Sequence, residues 1–159
     1  MNQHSYELAI ERQVEWILKK LEEQEYETVI VERNDSFIIF SVPASEQAKA
    51  RLNMEERFVQ FAFCERGFYM DLPDTTLLPE DAERILEERP DHGFEYALNR
   101  SQITITEQKF DPLQIIYAYP ELRIAAMDTA YILYDIYGTD PEVEIQVKSA
   151  QFGKGGASW

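Results

Sequence analysis

The chain has little of what usually announces a chemistry. Among 159 residues there is one cysteine, Cys64, and there are two histidines, His4 and His92. A single thiol cannot close an intrachain disulfide, so nothing suggests a stapled secreted fold, and a reducing, cytoplasmic setting fits best. Two histidines far apart in sequence offer no paired imidazole acid and base and no ready zinc ligand set. Six glycines and seven prolines are too few for a collagen-like or low-complexity chain. Bases are scarce as well, 15 against 30 acids, for a formal charge of −15. A nucleic-acid binder needs a basic face to displace counterions, so that class is disfavoured. Long apolar runs are missing too: the nearest approach to a membrane span, residues 112–137, is broken by Glu121, Arg123, Asp128 and Asp135. The opening Met1-Asn2-Gln3-His4 carries no Lys or Arg, and Glu7 and Glu11 fall where a signal peptide would need an apolar run. No membrane or targeting segment is therefore expected.

What is present is enough to build a core. Apolar residues make up 45% of the chain and aromatics 13%, and a domain of this length buries about 68–70% of its unfolded surface. One α+β domain over residues 1–152 is expected, followed by a flexible glycine-containing tail over 153–159. The acid excess is not confined to an arm or tail; each quarter of the chain carries three to five more acids than bases. A surface anionic throughout keeps the molecule soluble, repels phosphate ligands and suits a basic protein partner.

Periodicity gives the elements. Ile10, Val14, Ile17, Leu18 and Leu21 make one apolar stripe and predict a helix over 5–24, with Ser5 as N-cap, Glu15 paired to Lys19, and Trp16 at the edge of the stripe. Residues 27–32 and 36–42 are β-rich runs around Arg33-Asn34-Asp35 and predict a hairpin closed by Pro43. Residues 44–54 read as a short exposed helix or a loop. A second hairpin alternates through Val59, Phe61 and Phe63, turns at Glu65-Arg66-Gly67, and returns through Phe68, Met70 and Leu72. Leu78-Pro79-Glu80-Asp81 opens a helix to about Arg89. A third hairpin is expected over 94–106, and Asp111-Pro112 reads as a helix start. The run from Pro120 to Tyr137, stopped by Gly138, should be the most buried helix. Val143, Ile145 and Val147 predict a last strand over 142–148 at a sheet edge. Hairpins alternating with helices give an antiparallel sheet with helices packed on one face.

No local motif carries catalysis. Asp91-His92 reads as a solvated turn, and Cys64 as a small hydrophobe within a strand. Asp71, Asp74, Glu80 and Asp81 form an acidic cluster, but without the ligand spacing of a calcium loop, and the last two suit a helix N-terminus. Gly153-Lys154-Gly155-Gly156 lacks the strand and helix of a phosphate loop. The reading is therefore no catalytic residue, no cofactor and no metal. Tyrosines are the remaining signal: Tyr117, Tyr119, Tyr131, Tyr134 and Tyr137 are five of nine. Tyrosine concentrates at interfaces because its ring packs while its hydroxyl seeks a partner. These five and Trp16 are the candidate partner-binding residues, and a core helix with rings packed on the sheet is the competing explanation.

The order of elements, from the helix over 10–21 through hairpins at 27–42 and 57–72, the Pro-started helix at 79–89 and strands at 94–106 to the apolar helix at 120–137, resembles the type III secretion chaperone-like fold, a group that includes YbjN-like proteins. The resemblance covers residues 5–137 and implies a non-enzymatic binder of extended partner segments, often a homodimer; the strand at 142–148 departs from it. Three functions stand in competition. The first is a non-catalytic acidic protein-binding module of chaperone or adaptor type. The second is an immunity or inhibitor protein neutralising a basic toxin or nuclease. The third is a metal-dependent enzyme using carboxylates alone. A protein partner, basic in character, is expected, and neither nucleic acid nor membrane.

Overall fold

The computed structural model describes residues 2–64, 67–72, 76–88, 115–118 and 121–153. The amphipathic stripe near the N-terminus forms α1 (Gln3–Gln24), starting two residues earlier than its spacing suggests. Asn2 is the N-cap, its side chain accepting from the backbone N–H of Ser5, so Ser5 lies inside the helix it was expected to cap.

The largest correction concerns residues 27–32. They do not form a strand; α1 continues into a π-helical turn over Glu25–Val31. Valine and isoleucine favour strands only where an edge is available to pair with. Here both edges of the following strand, β1 (Asp35–Pro43), are taken, one by β2 (Glu56–Cys64) and the other by β5 (Gln146–Gly153). The π-helical turn is instead fastened to β1 by a buried polar cluster. Thr28 Oγ1 donates to the Gln24 carbonyl and meets Ser36 Oγ at 2.8 Å, while Gln24 Nε2 donates to Ser36 Oγ at 3.0 Å.

The first expected hairpin is thus absent, and β1 reaches β2 through a short helix, α2 (Glu46–Leu52), capped by Ser45. The second hairpin is as expected: β2 pairs antiparallel with β3 (Gly67–Leu72), with Phe61 opposite Met70 and Phe63 opposite Phe68. α3 (Pro79–Glu88) follows. The third hairpin, at 94–106, lies outside the described residues, as does Asp111-Pro112. Beyond that proline comes a strand, β4 (Ile115–Ala118), not a helix; the Ile-Ile-Tyr run takes the open edge of β3. The last helix is α4 (Leu122–Ala130), which widens into a π-helical turn over Tyr131–Ile136 and ends at Gly138, whose φ of +74° needs glycine. The final strand begins at Gln146, later than expected. Asp140 accepts from the N–H of Glu142 through its side chain and from that of Val143 through its carbonyl, turning the chain before the strand. Gly153 ends β5, and the expected flexible tail beyond it lies outside the described residues.

The sheet order is β4-β3-β2-β1-β5, antiparallel throughout, so the chain is α+β and β5 is an edge strand as expected. Ile38, Phe40, Val59, Phe61, Phe63, Phe68 and Met70 face one core cluster. Over them lie Ile17 and Leu21 of α1, Ala82 and Ile85 of α3, and Ala126, Ile132 and Leu133 of the last helix. The helices do not form one clear layer on a single face, and of the two expected hairpins that fall on described residues, the second joins neighbouring strands and the first does not. No helix among the described residues is long and apolar enough to cross a membrane.

Candidate functional site

The two long helices run antiparallel. Arg123, at the start of α4, reaches Glu15 of α1 at 2.7 Å, and Asp135, one helix length on, accepts from the Tyr6 hydroxyl at 2.6 Å. Between these ties lies a groove of about 630 Å³. Its apolar wall is Ile10 and Val14 of α1 against Met127, Ala130 and the ring of Tyr131. Ala130 is fully buried at the back of this wall, and Met127 stands 50% exposed at the mouth. Glu11, Glu15, Asp128 and Asp135 also line the groove, and Arg123 supplies its one positive charge. Asp128 is fully buried, so the carboxylates that reach solvent are Glu11, Glu15 and Asp135; three carboxylates and one guanidinium around an apolar wall form a surface matched to a cation carried on an apolar scaffold.

The electrostatics of the ties follow their geometry. Arg123 holds the Glu15 carboxyl below the usual carboxylate range, chiefly through their hydrogen bond, and is itself raised by it. Burial, then the bond to Asp135, pushes the Tyr6 phenol up to about 12, so it stays a neutral donor. The expected pairing of Glu15 with Lys19 is replaced by Glu15 with Arg123, because α4 brings a guanidinium to a carboxylate that would otherwise have only a flexible neighbour on its own helix.

A second constellation is internal. Arg57, 3% exposed, donates to Asp81 Oδ2 at 2.6 Å and to the Thr76 carbonyl at 2.8 Å, and its guanidinium lies 3.8 Å from the centre of the Tyr137 ring. Asp81 also accepts from the N–H of Leu78, so it caps α3 as its sequence position suggests, while Glu80 pairs with Arg51 of α2. Tyr137 donates to the Phe58 carbonyl at 2.8 Å, and its phenol is pushed up to about 12 by burial, against the opposing pull of Arg57. The network ties β2, the start of α3 and the end of the last helix together, and none of its residues lines the groove.

The six residues nominated from sequence separate. Tyr131, Tyr134 and Tyr137 are 6%, 3% and 6% exposed and belong to the core cluster. Tyr131 nevertheless presents its ring to the groove while its hydroxyl donates to Glu88 at 2.6 Å. Trp16 is half-buried, edge-on to Phe40 with Lys20 over its ring, and lines a smaller recess with Arg12, Gln13, Glu144 and Ile145. Tyr117 lies in β4 and Tyr119 outside the described residues. Of the acidic cluster, Asp71 is in β3 and Asp74 lies outside; no group of His, Cys, Asp and Glu able to hold a metal occurs among the described residues. Cys64 ends β2, His4 lies in the first turn of α1, and His92 lies outside. Sequence reasoning missed Met127 and Asp128 as groove residues, and Arg57 as a strut. Arg57 had a readable signal: it holds the inward register of a strand whose other inward residues are Val59, Phe61 and Phe63.

Compared with known proteins, the chain matches no protein-family model, no curated protein and no solved structure.

Proposed function

We propose that this chain is a non-catalytic, acidic protein-binding module of chaperone or adaptor type, working in the cytoplasm, that takes a basic amphipathic segment of another protein into the groove between α1 and α4. The observation that carries the reading is the groove itself, with its wall of Ile10, Val14, Met127 and Ala130 and its solvent-reaching carboxylates Glu11, Glu15 and Asp135 against one arginine. An amphipathic helix lays its apolar face into such a groove while its flanking cations meet the acidic rim. The resemblance to secretion chaperone-like proteins likewise implies a small acidic protein that holds a partner segment, there an extended one.

An inhibitor of a basic toxin would share the acidic rim but rest on charge alone. The apolar wall favours the module reading, and salt separates the two. Between 0.1 M and 1 M salt the screening length falls from about 10 to about 3 Å; binding through charge alone then collapses, while groove binding keeps its apolar part.

The test is fluorescence anisotropy with a labelled Lys/Leu peptide of about 11 residues, three helical turns. The unaltered chain should bind it at micromolar strength. Met127→Lys should weaken binding at least tenfold, and a scrambled peptide of the same composition should bind far less well. Equal binding of the scrambled peptide, or indifference to Met127→Lys, overturns the reading. The metal-dependent enzyme keeps its own test, a rise in melting temperature with millimolar Mg²⁺ or Ca²⁺.

A further inference from the structure

We infer that the binding surface continues past the groove, along the outward stripe of α1 to the π-helical turn at Glu25–Val31, and that it fits a basic helix of about five turns with apolar ends. The inference rests on the groove reading and extends it by naming the partner's length and pattern.

At about 3.6 residues per turn, Tyr26 returns to the azimuth of Leu8 about 27 Å further along the axis. Both ends are apolar and exposed, Leu8 at 42% and Tyr26 at 62%. Between them, within about 60° of that line, the stripe carries Glu11, Glu15, Glu22 and Glu23 against Arg12 and Lys19, all exposed, with Arg12 already paired to Glu142. The far end is widened by the π-helical turn. In an i to i+5 bonded turn Ile30 and Val31 share the side of Tyr26, and each is 56% exposed. Thr28, pointing the other way, is buried in the Gln24–Ser36 cluster and fixes the turn to β1, so the three apolar side chains are held outward rather than left to fold in.

Leu8, Tyr26, Ile30, Val31 and Met127 are the exposed large hydrophobic residues of the described structure, and every one lies on this helical side. Scattered exposed hydrophobics are ordinary, but their gathering at the two ends of an acidic stripe is a pattern. Its complement is a helix with cations at its centre and apolar residues at both ends. Charge argues against a second copy, whose own acidic stripe would face this one, and against an anionic membrane.

The test compares two labelled probes: the 11-residue Lys/Leu peptide above, and one of about 20 residues with lysines at its centre and leucines at both ends. The long probe should bind the unaltered chain at least tenfold more tightly. Ile30→Lys, a change at an exposed position, should remove that advantage and leave the short probe unaffected. If the probes bind alike, or if Ile30→Lys leaves the long one unchanged, the extension is wrong while the groove reading stands. If the short probe does not bind at all, the groove reading fails first and takes this one with it. Self-association of the chain that Ile30→Lys abolishes overturns the proposal in favour of a second copy as occupant.

Discussion

Two tyrosines one helical turn apart, Tyr134 and Tyr137, should respond to loss of the hydroxyl with opposite signs. Both are buried, and phenylalanine keeps either ring in place, so packing is unchanged and only the oxygen is tested. The Tyr137 hydroxyl donates to the Phe58 carbonyl at 2.8 Å. Removing it leaves a carbonyl without that donor beneath the helix, at a cost of about 1–2 kcal/mol. The Tyr134 hydroxyl is buried with no hydrogen-bond partner among the described residues. Its desolvation is uncompensated, so Tyr134→Phe should stabilise by about 1 kcal/mol. For a chain of this size the two variants should differ by about 5–10 °C in melting temperature. Urea unfolding checks this directly, with midpoints moving in opposite directions and an unchanged m-value.

A second signature is pH. Burial pushes the Tyr137 phenol from 10.0 to about 12. Its contribution is complete below pH 10, where both states are protonated. It is lost as pH rises from 10 towards 12, because the unfolded chain releases the proton first, with a slope of about 1.4 kcal/mol per unit. Tyr137→Phe should flatten that slope. If Tyr134→Phe destabilises as much as Tyr137→Phe, the phenol at 134 has a partner and the reasoning is refuted.

Other expectations follow from the same contacts. Arg57→Met leaves Asp81 buried without its counter-charge and should cost about 3–5 kcal/mol, while Arg57→Met with Asp81→Leu should cost less than either alone, a double-mutant cycle read by urea melts. Gly138→Ala should cost about 1 kcal/mol from the positive φ alone, since a Cβ there meets nothing within 4 Å; a larger loss of stability means the residue is in close contact. Arg123→Gln frees the Glu15 carboxylate, so the short basic peptide should bind two- to fivefold more tightly. Weaker binding would show that Arg123 itself meets the partner.

The parts of the fold legible in the sequence are those whose pattern is strict and whose partner is near. The stripe from Ile10 to Leu21, the alternation from Val59 to Leu72, the Pro79 start and the Gly138 stop all reappear. Glu27-Thr28-Val29-Ile30-Val31-Glu32 misled because its composition is that of a strand, while its fate was decided by β5, more than a hundred residues on, which takes the edge it would have used. The same distance hides the groove. Its two walls meet only because α4 packs on α1, and neither Met127 nor Ile10 differs locally from a core residue. The tyrosine count was real, but a helix roofing a sheet uses such rings for packing. What could be read was the charge: acids in every quarter of the chain foreshadow an acidic rim, without saying where it lies.

The most direct test of the account is methyl NMR during titration with the short Lys/Leu peptide. The account predicts saturable shifts at the methyls of Met127, Ile10 and Val14, with Ile39 and Val147 on the sheet unmoved. Shifts confined to the sheet, or no shift at any of the groove methyls at saturating peptide, would contradict it.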